Sequence, residues 1–350
     1  MESLYKEQII KALSKVMDPE LHKDLVSLNM IQNLEINNGD IQFTLMLTTP
    51  ACPLRDQLEK SARKAVEGVP GVKSVKIKID AHIPEDKKIS GKLGLTIKHV
   101  IAVASGKGGV GKSTIAVNLA VALADSGAKV GLLDADIYGP NIPTMMGVKH
   151  SLQVRDKKIM PAYAFGVKIM SIGFLIKEGQ PLIWRGPLLH STIKQFMNDV
   201  NWGELDYLIA DLPPGTGDVQ LSLAQIIPIS GGIIVTLPQK VSLEDAERAL
   251  EMFRKLNIPV MGVIENMSYL ELEDGRRLEI FGAGGGRFLA KNAGVPFFGE
   301  VPLAANVRES GDNGKPIVIA EPESKPAKIL REIASLVAAS ISIRTLSEKD

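Results

Sequence analysis

Gly106-Lys-Gly-Gly-Val-Gly-Lys-Ser113 fits the phosphate-loop pattern G-x-x-x-x-G-K-[ST] at every required position, with an additional lysine, Lys107, directly after the first glycine. The apolar run at 99–105 leads into it and the run Thr114-Ile-Ala-Val-Asn-Leu-Ala-Val-Ala-Leu-Ala-Asp125 leads out, so the loop sits where a strand hands over to a helix. The chemistry needs that setting. Glycines remove side chains, and successive backbone N–H groups then converge on phosphate oxygens at the positive end of a helix. Lys112 is placed to reach the β- and γ-phosphates, and the Ser113 hydroxyl to complete a magnesium shell. Gly106, Gly108 and Gly111 also satisfy the dinucleotide pattern G-x-G-x-x-G, and Asp134 lies about where such a fold carries its ribose-binding acid. A dinucleotide site has no use for Lys112-Ser113 and does not account for the aspartate segment near residue 211, so the residues favour a triphosphate.

Outward from the loop, short apolar strands at 100–105, 130–136, 207–211, 233–237, 260–265 and 297–301 alternate with helical segments. That alternation predicts an α/β fold over 97–350, a parallel-sheet phosphate-loop domain with helices on both faces. Ligands in such sheets bind at the carboxyl ends of the strands, and the acids fall there. Asp134 and Asp136 close Val-Gly-Leu-Leu-Asp-Ala-Asp, and Asp211 closes Asp-Tyr-Leu-Ile-Ala-Asp before Leu212-Pro-Pro-Gly-Thr-Gly-Asp218. Asp211 thus stands where an aspartate holds magnesium through a water, and the Pro-Pro-Gly-Thr-Gly turn is placed to sense the γ-phosphate. A lone acid at a strand end more often caps a helix. Three of them behind a complete phosphate loop argue for nucleotide and metal.

Residues 1–85 read differently: helix, strand, strand, helix, strand, a small α+β domain. Asn37-Asn38-Gly39-Asp40 between two alternating strands predicts a tight hairpin. The polar, glycine-bearing stretch at 86–96 marks a linker.

Composition bounds the rest. A chain of 350 residues with 45% hydrophobic side chains has room for about two domains with their own cores. A formal net charge of +1 argues against nucleic acid as a partner, because such binders carry a basic excess. Neither a long apolar run nor a charged-then-apolar leader stands out, so no membrane is expected and the cytoplasm is the expected location. The single cysteine, Cys52, excludes an intrachain disulfide, and the five histidines lack metal-ligand spacing.

Taken together, GKGGVGKST, LLDADIYGPNIP, DLPPGTGD, ENMSY and IFGAGGG closely resemble the Mrp/ApbC family of iron–sulfur cluster carrier ATPases, within the deviant Walker A class that includes MinD and the nitrogenase iron protein. Residues 1 to about 85, with LTTPACPLRDQ, resemble the small domain that the family often carries at its N-terminus. The resemblance implies ATP and Mg2+ as cofactors, a homodimer, ATP hydrolysis, and delivery of iron–sulfur clusters to apoprotein clients. It implies that Gly106, Gly108, Gly109, Val110, Gly111, Lys112, Ser113 and Thr114 bind phosphates and that Lys107 crosses the dimer interface to the partner's ATP. Asp136 would orient the attacking water, Asn266 would lie near the adenine, and Ser113, Asp134 and Asp211 would hold magnesium directly or through water.

One departure stands out. Where the family's full motif carries C-P-x-C after Asn-Met-Ser-Tyr, this chain has Tyr269-Leu-Glu-Leu-Glu-Asp-Gly-Arg-Arg-Leu-Glu-Ile280, with no cysteine and one residue fewer. A cluster is normally held by four cysteine thiolates, and a dimer of this chain supplies two Cys52, so any cluster needs carboxylates, outside thiols or a partner protein. The segment reads instead as a hairpin turning at Asp274-Gly275. Cys52 precedes Pro53 and a helix: either its sulfur sits at a helix N-terminus as a thiolate, an iron or client contact, or it is a small core residue. Gly282–Gly286 reads as a flexible turn before a helix at Arg287. Trp184-Arg185 is either a core tryptophan or a partner anchor. Ile329, Ile333, Leu336, Val337 and Ile341 form a helical stripe for docking on the sheet, with membrane targeting the alternative.

Overall fold

The computed structural model describes residues 2–87, 89, 96–149, 153–175 and 186–347. Most of the expected linker, and Trp184-Arg185, lie outside the described residues. By contacts the chain separates into 1–84 with 338–350, and 85–337.

The small unit runs α1 (Glu2–Leu13), β1 (Ile31–Asn37), β2 (Asp40–Leu47), α2 (Arg55–Glu67) and β3 (Ser74–Ala81), with strand order β1-β2-β3. β1 and β2 are antiparallel, and β2 and β3 parallel. The expected hairpin forms at Asn38-Gly39, whose φ angles of 50° and 94° are those a primed two-residue turn requires. Ile9, Leu13, Ile41, Phe43, Leu45, Leu58 and Val66 make a core of this unit's own. The chain's tail groups with this unit, where the Ser342 hydroxyl donates to the Thr48 carbonyl at 3.2 Å. Of the expected large domain over 97–350, the described residues 338–347 therefore group with the small unit.

The large unit continues with β4 (Ile97–Ala104), α3 (Lys112–Asp125), β5 (Val130–Asp134), α4 (Ile142–Met145), β6 (Gln153–Arg155), β7 (Lys158–Met160), β8 (Ala162–Ala164) and β9 (Val167–Ser171). After α5 (Gly186–Asn198) come β10 (Leu205–Asp211), α6 (Asp218–Ile226), β11 (Gly231–Thr236), α7 (Lys240–Lys255) and β12 (Val260–Glu265). The short ribbon β13 (Leu270–Glu271) and β14 (Arg277–Leu278) precedes α8 (Gly285–Ala293), β15 (Phe297–Glu300), α9 (Ala305–Asp312), α10 (Ile317–Ala320) and α11 (Lys325–Ser347).

Its main sheet has the order β15-β12-β11-β4-β10-β5-β9-β8 and is parallel except for the β8–β9 pair. β4, β10 and β11 are apolar on both faces, as strands covered by helices must be. β4 lies between β10 and β11, so consecutive strands part to either side of it and leave a crevice above its carboxyl end. The six expected strands are all present. β8 and β9 were not expected, because Ala162–Ser171 offers short runs without a helix between them. β5 stops at Asp134, which leaves Asp136 in the loop beyond the strand.

Two packing details differ from expectation. Leu336 is 37% exposed, while Leu330, Ile333, Ala334 and Val337 are buried, so the apolar face of α11 is rotated from the stripe read in the sequence. The glycines at 284–286 are a packing device rather than a flexible turn: a Cβ on Gly285 would lie 2.5 Å from the Pro238 carbonyl oxygen, and the Gly286 N–H donates to the buried Glu265 carboxylate at 2.5 Å. Among the described residues no helix is long and apolar enough to cross a membrane.

Candidate functional site

The loop between β4 and α3 opens into a crevice of about 660 Å3 at the carboxyl edge of the sheet. Its floor is the phosphate loop with Lys112, Ser113 and Thr114. One wall carries Asp136 and Tyr138, and the other Asn266, Met267 and Pro302 to Ala304. Gly111 stands at the N-terminus of α3 with φ of 82°, and no side chain caps that helix end, so its backbone N–H groups are available to an anion.

Two loop residues owe their identity to packing that the motif does not mention. A Cβ on Gly106 would lie 2.0 Å from the backbone carbon of Asp245, so α7 presses directly on the loop. Asn266 donates from Nδ2 to the Val110 carbonyl at 2.8 Å, and a Cβ on Gly111 would meet that same nitrogen at 2.1 Å. The residue expected near the adenine therefore braces the loop from behind while also lining the crevice.

Lys112, Ser113, Asp136 and Asp211 converge. Lys112 Nζ donates to Asp211 Oδ1 at 2.6 Å and to Asp136 Oδ2 at 3.3 Å, and the Ser113 hydroxyl donates to Asp211 Oδ2 at 2.6 Å. Asp134 sits one layer deeper and accepts from the Ser171 hydroxyl at 2.7 Å and from the Asp136 N–H at 3.2 Å. Ser171 ends β9, and with no motif around it the sequence held no signal for it. Asp136 Oδ1 in turn accepts the Tyr138 N–H at 3.0 Å, which ties the acid to the loop that rims the crevice.

Burial governs the electrostatics. Asp134 is fully buried, and desolvation, reinforced by the charge of Asp211, pushes its pKa up to about 8 despite the Ser171 hydrogen bond and Lys112. Burial alone would depress Lys112, but Asp211 and then Asp136 overcome it and hold the ammonium charged. Burial likewise pushes the Asp211 carboxyl above the usual carboxylate range, against the pull of the Lys112 charge and the hydrogen bonds from Lys112 and Ser113. Hard oxygen donors suit Mg2+, which in phosphate-loop sites takes few protein oxygens and completes its shell with phosphate and water. Ser113 and Asp211 are the pair fitted to hold it.

Lys107 differs from Lys112 in every respect. It is partly exposed at the crevice mouth, its carbonyl accepts from the Ser105 hydroxyl at 2.9 Å, and among the described residues nothing engages its ammonium.

A family model described as an iron-transfer P-loop NTPase of the NUBPL type matches residues 96–338, and one described as an iron–sulfur cluster assembly protein matches 6–79. Iron–sulfur cluster carrier proteins of Synechocystis sp. and Deinococcus radiodurans are 50% and 51% identical to this chain, each over 98% of it and over 99% and 97% of their own lengths. This chain belongs to the iron–sulfur cluster carrier family. A nucleotide-binding protein from Archaeoglobus fulgidus, solved in complex with ADP, is 39% identical with a TM-score of 0.58, covering 65% of this chain and 90% of its own. MinD of Pyrococcus furiosus, at 22% identity and a TM-score of 0.51, shares the fold. The family and the α/β fold are those the sequence resemblance implied.

The cluster side of the family looks different here. Residues 270–278 form the expected ribbon, with Leu270 opposite Leu278, Glu271 opposite Arg277, and Gly275 at φ of 82° in the turn. Among the described residues no three His, Cys, Asp or Glu side chains group to hold a metal ion. Cys52 lies two residues before Leu54, the N-cap of α2, and packs against the small unit's core. Burial first, then Glu20 and Asp18, pushes its thiol up to about 11 against the pull of the Leu54 N–H and Arg55. The helix-terminus thiolate is thus corrected to a protonated thiol.

Thiolate is the reactive form, so alkylation of Cys52 by iodoacetamide at neutral pH should be roughly 100-fold slower than that of a free thiol. Because the folded pKa is raised, the rate should climb about tenfold per pH unit and level off only near pH 11. A plateau below pH 9 would contradict this environment.

Proposed function

We propose that this protein is a homodimeric, magnesium-dependent ATPase of the cytoplasm that delivers iron–sulfur clusters to apoproteins, with nucleotide binding and hydrolysis opening and closing the dimer. The observation that carries this reading is the buried Lys112–Asp211–Ser113–Asp136 constellation under an uncapped helix N-terminus.

The loop N–H groups and Lys112 would receive the β- and γ-phosphates, Lys112 leaving Asp211 as it does so. Mg2+, when bound at Ser113 and Asp211, supplies the positive charge that those carboxylates then lack and neutralises charge developing on the γ-phosphate. Asp136 would accept a hydrogen bond from the attacking water and set it in line with the scissile bond. Asp134, kept neutral by burial, would hold Asp136 through its backbone N–H. Lys107, unengaged at the rim, would reach the partner's phosphates. Catalysis of this kind is positioning and electrostatics, with no covalent intermediate on the protein.

A second reading has its own support: a nucleotide-switched scaffold that carries no cluster and recruits partners through the small domain. The ribbon at 270–278 and the protonated Cys52 favour it. Anaerobic reconstitution with iron and sulfide, followed by iron and acid-labile sulfide analysis, separates the two. Stoichiometric, transferable cluster on the wild type, lost in Cys52→Ser, supports carriage. No cluster on the wild type leaves the scaffold.

A further inference from the structure

Glu265 is fully buried at the end of β12, and among the described residues no cationic side chain pairs with it. Both its oxygens are nevertheless used. Oε1 accepts the Ser268 hydroxyl at 2.5 Å, three residues on, and Oε2 accepts the Gly286 N–H at 2.5 Å from the first turn of α8. No side chain at Gly284 caps that helix, so the acid serves one of its orphan N–H groups from the sheet. A Cβ on Gly286 would lie 2.9 Å from the Glu265 Cβ, which explains why the helix opens on glycine. One buried carboxylate thus joins Glu265-Asn-Met-Ser268 to Gly282-Ala-Gly-Gly-Gly286.

The bond to Ser268 closes a turn over Asn266 and Met267, both of which line the crevice. Met267 has φ of 50°, in the left-handed region that few residues other than glycine, asparagine and aspartate enter. Such a conformation persists only where its surroundings over-determine it. Here the Asn266 N–H donates to the Thr236 carbonyl at 2.8 Å, the Ser268 N–H to the Val301 carbonyl at 2.9 Å, and the Val301 N–H to the Glu265 carbonyl at 2.8 Å. The turn has a definite load. Asn266 reaches the Val110 carbonyl, and the Met267 methyl would lie 3.6 Å from a Cβ on Gly111, so both side chains rest on the phosphate loop where α3 begins.

We propose that Glu265 is a positioning residue for the triphosphate: by tying Ser268 to the start of α8 it fixes the 265–268 turn, and Asn266 and Met267 then hold the phosphate loop in the shape that receives an anion. This rests on the ATP site of the preceding subsection and adds to it a residue that touches no ligand yet sets the affinity.

Titration calorimetry of the full chain with Mg2+ and either ATP or inorganic tripolyphosphate, beside steady-state phosphate release, tests this. Ser268→Ala removes one of the two bonds and should weaken both ligands about fivefold; Glu265→Ala removes both bonds and should weaken them about 25-fold. The two ligands should suffer alike, because the defect lies in the loop and not against the base. The loss should appear in KM, with kcat at saturating ATP within about twofold, since Lys112, Asp136 and Asp211 are untouched. Glu265→Gln should recover most of the affinity: its amide oxygen accepts the Gly286 N–H, and its NH2 donates to the Ser268 hydroxyl. Should Glu265→Ala not fold, Ser268→Ala and Glu265→Gln carry the test. Wild-type affinity in Ser268→Ala, a loss in kcat with KM unchanged, or a glutamine variant weaker than Ser268→Ala would each overturn the positioning role while the ATP site stands. A wild type that binds neither ligand would overturn both.

Discussion

Lys112→Ala is expected to abolish measurable ATP turnover, with phosphate release falling by about 100- to 1,000-fold, the loss that follows when a preorganised donor to developing charge is removed. The reason begins in the nucleotide-free chain. The Lys112 ammonium is 5% exposed and is the cation that Asp211 and Asp136 face. Deleting one member of a buried ion pair strands the other and costs about 3–5 kcal/mol. The alanine variant should therefore also melt lower, and the difference should shrink as the pH is lowered and the stranded carboxylates take up protons. Lys112→Arg separates the two effects: it keeps the charge and most of the stability, but a planar guanidinium cannot replace a compact ammonium against the β- and γ-phosphates, so turnover stays lost. Phosphate release from the alanine variant within tenfold of wild type would sink the assignment of this loop as the hydrolytic site.

Lys107→Ala has a different expected signature. The ammonium is at the crevice mouth and is engaged by nothing among the described residues, so its removal should leave folding intact and ATP affinity of the monomer within about twofold. What should vanish is the rise of specific activity with protein concentration, because a charge supplied in trans to a transferring phosphoryl group is worth about 1,000-fold or more. If specific activity of the variant still rises with protein concentration as in the wild type, Lys107 acts within its own subunit or not at all. With the trans role in place, the two lysines, five residues apart on one turn, are told apart by the assay: losing Lys112 removes turnover at every protein concentration, and losing Lys107 removes its rise with concentration.

Much of the candidate site could be read directly because phosphate binding is a backbone property. The glycine spacing, the flanking strand and helix, and Lys112-Ser113 are local, and a local pattern survives in a linear string. The roles of single residues within the pattern were less legible. Gly106 answers to the backbone of α7, some 140 positions later in the chain, and Asn266 is tied to the carbonyl of Val110. Ser171 holds Asp134 from a strand that the sequence did not announce. Asp136 read as the end of a strand, whereas the strand stops at Asp134.

Cys52 marks the sharpest difference. Its position before Pro53 and a helix allowed either a thiolate or a core thiol, and only packing decides between them. A charge on sulfur is lost when burial outweighs nearby N–H groups, and here that burial comes from packing against the small unit's core, which segments far apart in the sequence build. The apolar face of α11 is similar: its periodicity is local, but which residues turn inward depends on β15, where Ile333 lies against Gly299 and Leu336 is left outside.

The sequence by itself determined the family, the α/β fold and the triphosphate loop, because each is written in short-range patterns of glycine, charge and alternating apolar residues. Tertiary structure alone decided which acid pairs with Lys112, that Asp134 is neutral and that Cys52 is protonated. Those outcomes depend on distance and desolvation between segments far apart in the chain, and the order of residues along a strand or helix carries neither.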